Sequence, residues 1–204
     1  YVGKVALAAV GASTPIINML IGFFMGISTG AGVVIAQFFG AGNTCKMKRA
    51  IHNSIALTLV MGVVLTIVGL LFNDPILKAI GVPSEVFSEA STYLSIYFWS
   101  LIFVMVYNMG SGILRSVGDS KRPLYFLIFS SVVNIILDFL FVKYFHFGVA
   151  GAGYATLIAQ AISAIMVMYV LMKTEDDYKV ILKEIGFDKE ILLKQMKKTG
   201  NSDF

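Results

Sequence analysis

The hydrophobic positions of this chain fall into five long runs, separated by short polar segments. Each run has about twenty residues or more, enough for a helix to cross the roughly 30 Å hydrocarbon core of a bilayer. Turn and breaker residues such as Pro15, Asn73-Asp74-Pro75 and Gly118-Asp119 separate the runs. The pattern predicts an all-α integral membrane bundle. Its predicted spans cover residues 14–39, 51–72, 85–114, 123–143 and 149–172.

The segment 173–204 has a different pattern, in which charged residues alternate with apolar ones such as Ile181, Ile185 and Ile191. An amphipathic segment of this kind lies on a membrane surface or links two domains and does not cross the bilayer. The sequence therefore predicts two regions, a transmembrane bundle over 1–172 and an amphipathic linker over 173–204.

Composition narrows the class of protein further. The chain has 204 residues, of which 57% are hydrophobic and 14% charged, and its mean hydropathy is +0.82. Soluble domains carry about 25% charged residues, so this is an integral membrane protein. The net charge of +4 is spread between apolar runs, which argues against a nucleic-acid partner. One cysteine and two histidines exclude an internal disulfide and zinc or iron–sulfur spacing, and no cofactor is expected.

The basic residues predict the orientation in the membrane. Residues 40–50, 115–122 and the tail from 173 share one side of a five-span bundle, and 74–83 and 143–148 share the other. Of the sixteen Lys and Arg residues, only Lys4, Lys78 and Lys143 lie on the second side. By the positive-inside rule, the first side is cytoplasmic. The prediction is a multi-pass protein of the cell membrane with the linker in the cytoplasm.

One acidic residue, Asp138, lies inside an apolar run. An ionised carboxylate at the centre of a membrane helix costs roughly 2.5–3.5 kcal/mol, so such a group faces a protein interior or a wet cavity. Ser130, Asn134 and Asp138 are four residues apart and share one helix face. Burial disfavours the charged carboxylate, which could take up a proton, and hard cations such as Na⁺ bind oxygen ligands. The alternative is that Asp138 and Asn134 only hydrogen-bond across helices, worth about 0.6 kcal/mol on average.

Five motifs, in this order, carry a resemblance to a known family: ALAAVGASTPI, GISTGAGVVIAQFFGAGN, NMGSGILRSVGDSKRP, NIILD and GVAGAGYATLIAQ. Together they resemble the first lobe of MATE (multidrug and toxic compound extrusion) transporters, over residues 5–172. The resemblance implies one lobe of a two-lobe, twelve-helix antiporter that exports cationic or amphipathic drugs and is driven by H⁺ or Na⁺. It also implies that the first helix and the second lobe lie outside this chain.

The resemblance also implies a cation site. Asp138 and Asn134 match the family's cation-site pair on its fifth helix, and Asn108 and Thr156 fall where the family has further polar groups of the pocket. Ser130 is a possible supporting residue. Many members have proline after the aspartate, where this chain has Phe139.

Three other functions remain open at this stage. A lipid-linked precursor flippase of the same superfamily would favour a cationic cavity, but no Lys or Arg lies inside a predicted span apart from Lys143, the last residue of 123–143. A non-transporting structural subunit would leave Asp138 unexplained. An intramembrane enzyme would need a second acid, a Ser/His pair or a metal cluster at membrane depth, so the protein is not expected to be an enzyme. The partners expected are the bilayer and a small cationic or amphipathic substrate.

Overall fold

A computed structural model describes the backbone of residues 4–200 and the side chains of 8–198. No strand occurs within that range. Five of its helices are long and apolar enough to cross a membrane. In chain order, the helices are α1 (Lys4–Gly40), α2 (Thr44–Ala79), α3 (Ser84–Ser116), α4 (Lys121–Phe139), a π-helical turn (Leu140–Tyr144), α5 (Gly148–Lys173), a 3₁₀ turn (Leu182–Glu184) and α6 (Lys189–Gly200).

The first two helices are longer than the spans 14–39 and 51–72 that the sequence predicted, because their prolines do not end them. Pro15 lies inside α1 and Pro75 inside α2. Proline removes one backbone hydrogen bond, a loss that membrane helices tolerate when nearby hydroxyl groups bond to the backbone. Next to Pro15, the Ser13 and Thr14 hydroxyls donate to carbonyls one turn earlier, at 3.1 Å and 3.0 Å. The other three spans end within about two residues of their predicted ends.

Helix α3 is the centre of the bundle and packs against α1, α2 and α5. Its buried side chains include Leu94, Leu101 and Ile113, which are fully shielded from solvent. Two small residues allow close approach of its neighbours: Gly110 faces Val167 of α5, and Gly112 faces Ser28 of α1. Helix α4 packs mainly on α5 and has far fewer buried residues than α3.

The tail after α5 folds back onto the bundle. Val180 and Ile191 join a buried cluster with Val34 and Ile35 of α1 and Ile51 of α2. At its start, the Thr174 hydroxyl donates to Asp176 at 2.7 Å. This hydrogen bond, with a further one from Tyr178, holds the pKa of the Asp176 carboxyl below its ordinary value.

Three side chains hold the tail against α2, and we call them the tail clamp: His52, Asn53 and Gln195. The Nε2 atom of His52 accepts from the backbone N–H of Ile181 at 2.9 Å, so its Nδ1 carries the proton donated to the Lys48 carbonyl at 2.7 Å. Asn53 accepts from the N–H of Asp188 at 2.9 Å and donates to Gln195 at 2.8 Å. The sequence predicted an amphipathic linker here, and the clamp adds a polar attachment to the lobe.

Replacing Gln195 with leucine is expected to release the tail. Gln195 is 3% exposed, and its Nε2 also donates to the Ser54 hydroxyl at 2.7 Å. Leaving these buried groups unpaired costs roughly 1–3 kcal/mol. Hydrogen exchange of the amides in 181–198 should therefore accelerate. The matched control is Gln37→Leu, at an exposed position of α1. Equal protection in both variants would show that the clamp does not hold the tail.

Candidate functional site

The predicted polar face of α4 lies along a cleft between α4 and α5. The cleft has a volume of about 80 Å³. Its walls are formed by Leu127, Ser130, Ser131 and Asn134 of α4 and by Thr156, Ala159 and Gln160 of α5. The structure thus brings together three of the residues predicted from the sequence, Ser130, Asn134 and Thr156.

The hydroxyl protons of Ser130 and Thr156 are used within their own helices. The Ser130 hydroxyl donates to the Leu127 carbonyl at 3.1 Å, and the Thr156 hydroxyl donates to the Ala152 carbonyl at 3.0 Å. Because each proton is already donated, each oxygen keeps its lone pairs for a ligand. The cleft therefore offers neutral oxygen acceptors from the hydroxyls of Ser130, Ser131 and Thr156 and from the amides of Asn134 and Gln160, which are ligands that suit a hard monovalent cation.

Asp138 lies one helical turn beyond Asn134 and is half-buried. Its Oδ1 atom is shielded from solvent and has no hydrogen-bond partner in the described part of the chain. The same holds for Nδ2 of Asn134. Buried polar atoms are nearly always paired, so two unpaired ones a single turn apart indicate a place for a water, an ion or a substrate group. Asp138 does not itself line the 80 Å³ cleft.

The backbone changes form directly after Asp138. The α-helix ends at Phe139, and a π-helical turn, Leu140–Tyr144, follows. The Phe145 N–H donates to the Leu140 carbonyl at 3.1 Å, five residues earlier. Short π turns widen a helix and are frequent at functional sites. Phe139 stands where the resemblance implies a proline in many family members, yet the helix is still irregular at this point.

Asn108 lies away from the cleft. Its side-chain Nδ2 donates to the Val104 carbonyl at 2.8 Å, and its backbone carbonyl accepts from the Ser28 hydroxyl of α1 at 2.8 Å. It therefore stands at the contact between α3 and α1. Asn108 is not among the residues that line the α4–α5 cleft with Asn134.

Three polar residues near the site were not predicted from the sequence: Ser131, which lines the cleft next to Ser130, Gln160 and Tyr93. Gln160 lines the cleft one turn beyond Thr156, and the spacing of four residues along α5 was a signal that could have found it. Tyr93 of α3 lies close enough to Asp138 to interact with it electrostatically. No local pattern marks Tyr93, because this proximity depends on how α3 and α4 are placed in the bundle.

Comparison with known proteins identifies the family. The sequence profile of the MatE family matches residues 1–140. The chain belongs to the MATE family. It is 34% identical over 200 residues to a probable multidrug resistance protein, YoeA, of Bacillus subtilis (strain 168). The aligned region covers 95% of this chain and 43% of that protein. The family predicted from the motifs is confirmed.

Solved MATE structures confirm the fold. An inward-facing multidrug resistance MATE transporter superposes with a TM-score of 0.90 and 30% sequence identity, covering 97% of this chain and 45% of the other. An outward-facing one gives a TM-score of 0.89 at 29% identity. The chain spans less than half the length of these relatives. The predicted all-α membrane fold, one lobe of a two-lobe transporter, is confirmed.

Proposed function

We propose that the protein is a cation-coupled antiporter that exports cationic or amphipathic drugs and toxins by alternating access, with Asp138 as the coupling carboxylate. The observation that carries the proposal is the unpaired Oδ1 of Asp138, one turn from the unpaired Nδ2 of Asn134. The similarity to a probable multidrug resistance protein supports the substrate class and a transport role rather than an enzymatic one.

A single carboxylate in an apolar span explains why exchange would be obligatory. An unpaired charge at membrane depth is costly, so Asp138 must bind a proton, a metal cation or a cationic substrate. These ligands compete for the same group, and release of one requires arrival of another. The lobe can change sides only with the carboxylate neutralised. Inward flow of the coupling cation then drives outward movement of the substrate.

Both H⁺ and Na⁺ fit the proposed site. A proton needs only the carboxylate, while Na⁺ would also use the oxygens of Asn134 and Thr156, since hard cations take several oxygen ligands. Among the described side chains, those of residues 8–198, no group of three or more His, Cys, Asp or Glu could hold a metal ion. We propose the cell membrane as the location, with 40–50, 115–122 and the tail from 173 in the cytoplasm.

Gradient-driven efflux from proteoliposomes tests the proposal. The reconstituted protein is expected to move ethidium against its gradient when a pH gradient or a Na⁺ gradient is imposed, and to stop when that gradient is collapsed. A response to one gradient identifies the coupling ion. Ethidium movement that does not depend on either gradient would contradict cation coupling. The absence of any ethidium movement would contradict drug export.

Removing the Thr156 hydroxyl should distinguish the two ions. Thr156→Val keeps the shape of the side chain but deletes one oxygen of the cleft. If Na⁺ drives transport, its apparent affinity should fall roughly tenfold, because Na⁺ loses a ligand. If H⁺ drives transport, the pH dependence should be unchanged.

The control is Thr58→Val. The Thr58 hydroxyl also donates to a carbonyl of its own helix, at 2.8 Å, but lies on α2 outside the cleft. Equal effects of the two substitutions would show that Thr156 acts only through helix stability.

A further inference from the structure

The tail clamp fixes the depth of α6 beside the membrane spans. Gln195 donates to the Ala50 carbonyl at 3.2 Å and to the Ser54 hydroxyl at 2.7 Å. Residues 50–73 carry no formal charge, and Arg49 is the last charged residue before them. On the other flank, the Lys194 ammonium lies 4.3 Å from the centre of the Phe38 ring, near the end of α1. Helix α6 therefore lies beside α1 and α2, at the level where the apolar span of α1 ends and that of α2 begins.

The outward face of α6 is apolar with basic edges. Ile191 and Gln195 are buried against the bundle, which turns the opposite face of the helix away from it. On that face Leu193 is 59% exposed and Met196 is 60% exposed. Exposed apolar side chains on a docked helix indicate a binding surface. The charged side chains of α6 are Lys189, Glu190, Lys194, Lys197 and Lys198, four basic and one acidic.

We propose that the outward face of α6 binds anionic phospholipids of the adjoining leaflet. Leu193 and Met196 enter the boundary between headgroups and acyl chains, the depth typical of interfacial helices. Lys189 and Lys197 flank them on the same side, where their stems lie along the apolar surface and their ammonium groups reach the phosphates. The tail clamp and this lipid contact together hold α6 in the membrane surface. The inference concerns the surface of the lobe and does not depend on the proposed transport.

Charge and depth favour a lipid surface over a protein partner. The lysine excess complements a leaflet that contains anionic headgroups. The depth set by Phe38, Ala50 and Ser54 places the exposed leucine and methionine level with the ends of the spans. Val60, Val64 and Ile67 of α2 are apolar and exposed as well.

Quenching of a tryptophan by brominated lipid tests the proposal. The chain has one tryptophan, Trp99, so the reporter is Leu193→Trp in a Trp99→Phe background, with the protein reconstituted in nanodiscs. Equal amounts of 6,7-dibromo acyl chains are supplied on phosphatidylglycerol or on phosphatidylcholine. Brominated phosphatidylglycerol should remove roughly half of the reporter fluorescence and quench at least about twofold more efficiently than brominated phosphatidylcholine. Adding Lys189→Gln and Lys197→Gln should abolish this headgroup preference while quenching persists.

The control reporter is Val64→Trp, on the exposed face in the middle of α2, which should be quenched equally with either headgroup. Three results would overturn the proposal. Quenching of the Leu193→Trp reporter by aqueous acrylamide and not by bromine would show that the face points to water. Protection from both quenchers would show that protein covers it. Equal quenching by the two lipids would show that the face has no preference for anionic headgroups.

Discussion

Asp138→Asn is expected to abolish gradient-driven efflux while the protein still inserts and folds. Asparagine has nearly the same shape as aspartate, but it cannot take up a proton and carries no charge for a cation. If Asp138 is the coupling group, transport should lose its response to both pH and Na⁺ gradients. The expected result is the loss of all gradient-dependent efflux.

Folding should not suffer from this change. A neutral amide costs less at membrane depth than an ionised carboxylate, and Oδ1 of Asp138 makes no hydrogen bond in the described chain that would be lost. The thermal midpoint of the purified variant is therefore expected to match or exceed that of the wild type. This separates a loss of coupling from a loss of structure.

The measurement compares the efflux of ethidium from proteoliposomes for the wild type and the variants. Asp138→Glu keeps a carboxyl group and should retain partial, gradient-dependent activity. Asp74→Asn is the matched control, because Asp74 accepts from the Ser91 hydroxyl at 2.7 Å at an exposed position outside the cleft. Full gradient response in Asp138→Asn would overturn the proposed mechanism and leave Asp138 as a structural group.

The sequence was sufficient for the five spans, but not for the ends of the first two. Length and hydropathy predict membrane helices because the bilayer imposes both on any helix that crosses it. Whether proline ends a helix depends on neighbours that can replace the lost hydrogen bond. Helices α1 and α2 continue through Pro15 and Pro75, where the pattern predicted breaks.

The residues of the candidate site could likewise be predicted only in part from the sequence. Ser130 and Asn134 share a face by helical spacing, so the sequence alone was enough to predict that they line a common surface. Tyr93 lies near Asp138 only because of the packing of the bundle. The burial of Gln195 in the tail clamp was equally hidden, because its partners on α2 lie about 140 residues earlier in the chain.

Gly110→Ala is expected to lower the stability of the bundle. A β-carbon at Gly110 would lie 2.8 Å from both methyl groups of Val167 on α5. Val167 is fully buried, and its β-branched side chain has little rotamer freedom with which to move away. Overpacking of this kind costs roughly 1–3 kcal/mol. Helix α3 would be pushed from α5, the helix that carries Thr156 and Gln160.

A second substitution at the contact tests this explanation. Val167→Ala removes both methyl groups, so Gly110→Ala should cost much less in a Val167→Ala background than in the wild type. The two changes should therefore be strongly non-additive. The matched control is Gly26→Ala in α1, where no described atom lies within 4 Å of the added carbon. Alanine has the higher helix propensity, so there the change should be neutral or stabilising by up to about 1 kcal/mol.

Thermal unfolding of the detergent-solubilised variants provides the measurement. If Gly110→Ala is as stable as the wild type, α3 and α5 are not in the close contact described. If the loss persists unchanged with Val167→Ala, the strain lies elsewhere on α3. A rescue by Val167→Ala would instead show that the Gly110–Val167 contact limits how closely α3 and α5 approach. This approach sets the distance at which Thr156 and Gln160 of the α5 wall face Asn134.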